Sequence, residues 1–176
     1  MICEVNGLQL EQFVIDQLWI LAKIGIAMIL GAIIGFEREA SEKPAGLRTH
    51  MLVSGASAFI IAMGQVIEGQ FISIFGEAYI RSDPLRIIQG VVTGISFLGA
   101  GIIIREARQQ NVRYLTTAAS LYFVAVVGIS IALSQWVTGF GSVVLVLVIL
   151  RIFPLLERFL LNRDRRRKQQ KDKKGG

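Results

Sequence analysis

Asp83-Pro84-Leu85-Arg86-Ile87-Ile88-Gln89-Gly90-Val91-Val92-Thr93-Gly94-Ile95-Ser96-Phe97-Leu98-Gly99-Ala100-Gly101 reads as a membrane helix with two unlike sides. At about 100° per residue, Asp83, Gly90, Gly94 and Gly101 fall on one line, and Gln89, Thr93, Ser96 and Ala100 on a second beside it. Ile88, Val91, Ile95, Leu98 and Ile102 make an apolar stripe away from both. Glycine is costly in a water-exposed helix, whereas in a bilayer it lets a neighbouring backbone come close. Polar side chains at membrane depth face protein or water in preference to lipid. The expectation is that this helix packs by its glycine and polar face inside a bundle. Asp83 followed by Pro84 supplies its start, an acceptor at the cap and then proline at the first helical position.

Working outward, the whole chain has the same character. It is 53% hydrophobic and 18% charged, with a mean hydropathy of +0.57, which is the composition of an all-α integral membrane protein. Five apolar segments stand near the ~20 residues needed to cross a hydrocarbon core: 13–36, 51–67, 85–104, 115–133 and 137–156. They imply one five-helix domain over residues 1–156, followed by a basic, disordered tail over 157–176.

Charge predicts the orientation. Arg38, Lys43 and Arg48 follow the first segment, Arg105, Arg108 and Arg113 follow the third, and Ser134-Gln135-Trp136 after the fourth carries no base. Arg81 and Arg86, after the second, are a mild exception. From Glu157 onward there are nine bases and three acids, against ten of each before it, so the tail carries the whole +6 net charge. The positive-inside rule then puts the N-terminus outside and the C-terminus in the cytoplasm. The basic cluster directly follows a membrane span, so anionic lipid is its expected partner and nucleic acid is not.

Charged and polar residues gather at the two mouths of such a bundle. Glu37, Arg38, Glu39 and Arg48 stand at the cytoplasmic mouth, where they form a charge-compensated network, leave a carboxylate free for a cation, or serve as ordinary interfacial charge. Asp83 with Arg86 stands at the outer mouth, as an ion-binding station or a helix cap with a local pair. Arg113 with Thr116 and Thr117 opens the fourth helix. Gln89, Thr93, Ser96, Thr116 and Thr117 form a polar helix face; Gly31, Gly35, Gly90, Gly94 and Gly101 are the packing glycines. Lys23 is expected to snorkel outward past Trp19, and 71–80 to form a short amphipathic helix in the outer interface. Ala118, Ala125 and Gly128 form a further packing face, and the aliphatic fifth segment is expected to be the most lipid-exposed. His50 and Cys3 are the sole residues of their types, which excludes a histidine-rich or cysteine-built metal site. No glycine-rich phosphate loop with a following Lys occurs, so no enzymatic activity and no cofactor are expected.

Three motifs carry a resemblance. Gly31-Ala32-Ile33-Ile34-Gly35-Phe36-Glu37-Arg38-Glu39 with Pro44-Ala45-Gly46-Leu47-Arg48-Thr49-His50 resembles the first signature of the MgtC/SapB family, and 83–103 resembles the second. Val112-Arg113-Tyr114-Leu115-Thr116-Thr117-Ala118-Ala119 is similar to the third. The family's pattern has Gly at the places of Ser96 and Tyr114 and Trp at that of Tyr122. The resemblance implies a bacterial inner-membrane protein linked to growth at low magnesium. It also implies that the soluble C-terminal domain of the virulence-factor branch is replaced here by the basic tail. From the residues, two functions remain: a regulator contacting other membrane proteins or a second copy of itself, which is favoured, or a magnesium or other cation transporter with Asp83 as entry and Glu37 or Glu39 as exit carboxylate.

Overall fold

The computed structural model describes residues 2–76, 84–107 and 114–153. Asp83, Arg113 and the basic tail lie outside the described residues, as does 77–80 of the expected interfacial helix. The described residues form five helices: α1 (Ile2–Ala40), α2 (Leu47–Phe75), α3 (Pro84–Ala107), α4 (Leu115–Ala132) and α5 (Trp136–Phe153). Each contains a stretch long and apolar enough to span a membrane, as composition predicts, and the described residues contain no strand.

Side-chain contacts fix how the helices run. Gly31 and Gly35 of α1 lie against Ser54, His50 and Leu47 of α2, in antiparallel order. Gly64 of α2 receives Ile87 of α3, and Gly99 of α3 faces Ala118 of α4, so each pair is again antiparallel. His50 and Ser54 of α2 meet Ser120 and Gly128 of α4, which puts those two helices parallel. α4 touches α1, α2 and α3 and is the most buried span. Its core side chains Leu121, Val124, Val127 and Ile131 are fully covered.

The contacts on α1 are close ones. A Cβ added at Gly35 would stand 2.8 Å from Leu47 Cα, and one at Gly31 would stand 2.6 Å from the His50 carbonyl oxygen. Lipid tails give no hydrophobic drive to helix association, so close backbone approach and dispersion hold such an interface. Gly128 does the same for α4, since its added Cβ would run into the Ser54 carbonyl oxygen.

Both described turns close with the same device. Lys43 N–H donates to Arg38 O and Glu42 N–H to Glu39 O; Gln135 N–H donates to Ser130 O and Ser134 N–H to Ile131 O. These are paired 6→1 and 5→2 bonds around a left-handed residue, and that residue is Glu42 (φ 52°) in one turn and Ser134 (φ 59°) in the other. Non-glycine residues cost roughly 1–2 kcal/mol in that conformation. Glu42→Gly is therefore expected to raise the thermal unfolding midpoint in detergent; an unchanged or lower midpoint would contradict the strain.

Three expectations are corrected. Phe71 to Phe75 is the end of α2, because no proline breaks the helix before Gly76 (φ 77°) stops it. Lys23 does not reach out past Trp19; its Nζ donates to the Ala132 carbonyl oxygen at 3.3 Å, on the negative end of α4. The third concerns α3. Its aliphatic stripe points inward: Val91 is buried, and Ile87, Ile88, Ile95 and Ile102 pack on the core. Added Cβ atoms at Gly90, Gly94 and Gly101 would meet nothing within 4 Å. Gln89, Thr93, Ser96 and Ala100 are exposed. The branched side chains thus carry the contact with the core, and of the small residues described on this helix only Gly99 is buried, against Ala118 of α4. As a result α3, with 11% of its span buried, is more exposed than α5 with 17%.

Candidate functional site

The α1–α2 loop end holds an unusual density of buried polarity. Glu37, Arg38, His50, Ser54, Thr117 and Ser120 are all buried there or one to two turns inside. The last turn of α1 supplies the ion pair. Arg38 Nε donates to Glu37 Oε2 at 2.7 Å, Arg38 Nη2 to Glu37 Oε1 at 3.2 Å, and Ser41 Oγ to the same Oε1 at 3.0 Å. Both carboxylate oxygens are thereby occupied by charge-assisted bonds.

Glu39 has a different task. Its Oε2 accepts the Leu47 N–H at 2.9 Å, so a carboxylate from the preceding helix caps the N-terminus of α2, where the dipole favours negative charge. Gly46 makes room for it. A Cβ there would lie 2.7 Å from Glu39 Oε2.

His50 follows in the first turn of α2, with Nδ1 2.9 Å from the Gly46 carbonyl oxygen and Nε2 3.0 Å from Ser120 Oγ of α4. Ser120 Oγ also donates to the Thr117 carbonyl oxygen at 2.8 Å. Ser54 Oγ and Thr117 Oγ1 are buried without a protein partner, the type of group that internal water serves. His50, Ser54 and Ser120 were not among the expected site residues. A signal existed: His50, Val53, Ser54, Ser57, Ala58 and Ile61 recur at helical spacing, the small-residue face of a buried helix.

The remaining expected residues are placed differently. Arg48, Arg86 and Thr116 are exposed, while Thr117 is buried. The described residues contain no group of three or more His, Cys, Asp or Glu side chains placed to hold a metal ion. Thr93 and Ser96 turn their hydroxyls onto the Gln89 and Val92 carbonyl oxygens of their own helix. Between α2 and α3 lies a groove of about 380 Å³, lined by Ala56, Ser57, Ile60, Ile87, Gly90, Val91, Gly94 and Ile95.

The architecture and loop end just described are covered almost entirely by one family match. The model of the MgtC family matches residues 24–159. The chain belongs to the MgtC family. Among relatives, MgtC of Salmonella typhimurium is 38% identical over 122 residues, 69% of this chain and 46% of that protein. YhiD of Escherichia coli, named as a candidate magnesium transporter, is 36% identical over 147 residues, 81% of this chain and 66% of that protein. SapB of Bacillus subtilis is 30% identical over 139 residues, 79% of this chain and 58% of that protein. The chain thus spans under two thirds of the length of these MgtC-family relatives. No solved structure matches it.

Proposed function

We propose that this MgtC-family chain is a non-catalytic protein of the bacterial inner membrane, oriented with its N-terminus outside. It serves adaptation to low magnesium by contacting another membrane protein. The observation that carries this reading is the α2–α3 groove with Gly90 and Gly94 in its lining. Small residues there admit a partner helix to close backbone distance. The exposed Gln89 amide beside it offers a polar anchor of the sort that is costly to leave facing lipid. The magnesium connection comes from the name of the YhiD relative.

Transport is the less supported alternative. Glu37 has both oxygens engaged by Arg38 and Ser41, and Glu39 commits one oxygen to the α2 N-terminus. Glu37 is therefore not a free exit carboxylate, and Glu39 keeps one oxygen at most for a cation.

The test replaces Phe97, 83% exposed on α3, with a photo-reactive residue in cells grown at low magnesium. The expected result is a cross-link to a different membrane protein, abolished by Gly94→Leu, with growth lost while accumulation and thermal stability stay at parental levels. A cross-link only to a second copy would replace the hetero-partner by a homo-oligomer. Normal growth from a normally accumulating Gly94→Leu chain, or magnesium flux through the purified protein in liposomes, would overturn the reading.

A further inference from the structure

We propose that His50 and Ser120 form a proton-binding site between α2 and α4, independent of the partner contact proposed above. It rests on counting hydrogens. Gly46 offers His50 a carbonyl oxygen at 2.9 Å, and a carbonyl only accepts, so Nδ1 carries a hydrogen. Ser120 has one hydroxyl hydrogen and two acceptors within reach: His50 Nε2 at 3.0 Å and the Thr117 carbonyl oxygen at 2.8 Å. When it donates to Nε2, the ring is neutral. When it donates to Thr117, the Nε2 contact is a hydrogen bond only if Nε2 itself carries a hydrogen, and the ring is then an imidazolium.

The two arrangements share one set of heavy-atom positions. A proton from the water bathing the α1–α2 loop adds to the Nε2 lone pair. Nε2–H then donates to Ser120 Oγ, and the serine hydroxyl rotates from Nε2 to the Thr117 carbonyl. One N–H bond forms as the donating hydronium gives up one O–H bond and departs as water, and both helices keep their contact. Histidine is the side chain whose ordinary titration range suits such a role near neutrality.

The ring is fully buried, which disfavours an added charge, and the charged groups acting on it from α1, Glu37 and Arg38, are paired with each other. α4 carries no charged residue and faces the ring with hydroxyls alone. What offsets part of the cost of that buried charge is a charge-assisted bond to an acceptor on a neighbouring helix, Ser120 Oγ.

Because His50 is the sole histidine, the test is unambiguous. The full chain is labelled with ¹⁵N-histidine in lipid nanodiscs, and the two ring nitrogens are followed from about pH 8.5 to pH 5.5. At the alkaline end the expected form is the Nδ1–H tautomer, the reverse of the preference of free imidazole side chains in water. On acidification it converts reversibly to the doubly protonated ring with the helical spectrum unchanged. A charge-assisted bond is roughly twice as strong as a neutral one. Ser120→Ala should therefore lower the doubly protonated fraction at a given acid pH about fivefold, and Ser120→Thr should restore it. An Nε2–H tautomer at alkaline pH, protonation only as the chain unfolds, or identical populations in the parent and Ser120→Ala would each overturn the proposal.

Discussion

A methyl group added at Gly31, Gly35 or Gly128 is expected to lower the thermal unfolding midpoint sharply. The atoms it would meet are backbone or Cβ atoms of α2: the His50 carbonyl oxygen at 2.6 Å from Gly31, Leu47 Cα at 2.8 Å from Gly35, and the Ser54 carbonyl oxygen beside Gly128. None is the movable end of a long side chain, so the helices must separate. Overpacking of this kind costs typically 1–3 kcal/mol, and rigid neighbours push toward the upper end. Spread along α1 and α4, two such changes remove a large share of a stability of ~5–15 kcal/mol. The contrast is with Gly90→Ala, Gly94→Ala and Gly101→Ala, whose added Cβ atoms meet nothing within 4 Å. There the helix itself gains roughly 0.5–1 kcal/mol. Thermal unfolding and size exclusion in detergent should separate the two sets cleanly. Equal midpoints across all six variants would mean that the α1–α2–α4 contact is looser than described.

The second large effect is expected at the Glu37–Arg38 pair. Both side chains are buried, at 8% and 4% exposure, and each is the other's principal partner. Glu37→Ala leaves a guanidinium stranded, and Arg38→Ala leaves a carboxylate with only Ser41. Breaking a buried pair from one side costs roughly 3–5 kcal/mol, whereas replacing both members with apolar residues is often neutral. Each single variant should therefore lose accumulation, and Glu37→Met combined with Arg38→Leu should recover much of it. If the repaired double variant folds yet fails to support growth at low magnesium, the pair has a role beyond stability. If the single variants unfold at the parental temperature, the pair is ordinary surface charge.

The chain's own residues made five spans legible, since length and apolarity decide what a bilayer will accept. The Gly31/Gly35 pair was legible as well, because both faces of that contact lie within one hairpin. The side on which α3 packs was not. Glycine permits close approach, but it does not say whether the approaching backbone belongs to the same chain; here Ile87, Val91 and Ile95 are the side chains that reach the core. The role of His50 is hidden in the sequence for a related reason. A single histidine near a loop looks like solvated polarity, and only the arrival of Ser120, seventy positions away, turns it into a buried bridge. Glu39 was grouped with Glu37 by proximity, yet one carboxylate binds a guanidinium and the other a helix end.

Lys23 carries a consequence for biogenesis. Its ammonium sits on the last carbonyls of α4, 109 positions downstream. While the ribosome has delivered only α1 and α2, the hairpin can already zip along Gly31 and Gly35, but this cation has no counterpart. The expected result is that it stays near the headgroups, holding α1 shallow, until the C-terminus of α4 is there to receive it. Insertion of the fourth helix is then the moment at which the first one reaches its final depth. Truncated chains ending before residue 115 should keep α1 shifted toward the aqueous side, a displacement that cysteine accessibility along 18–22 would record.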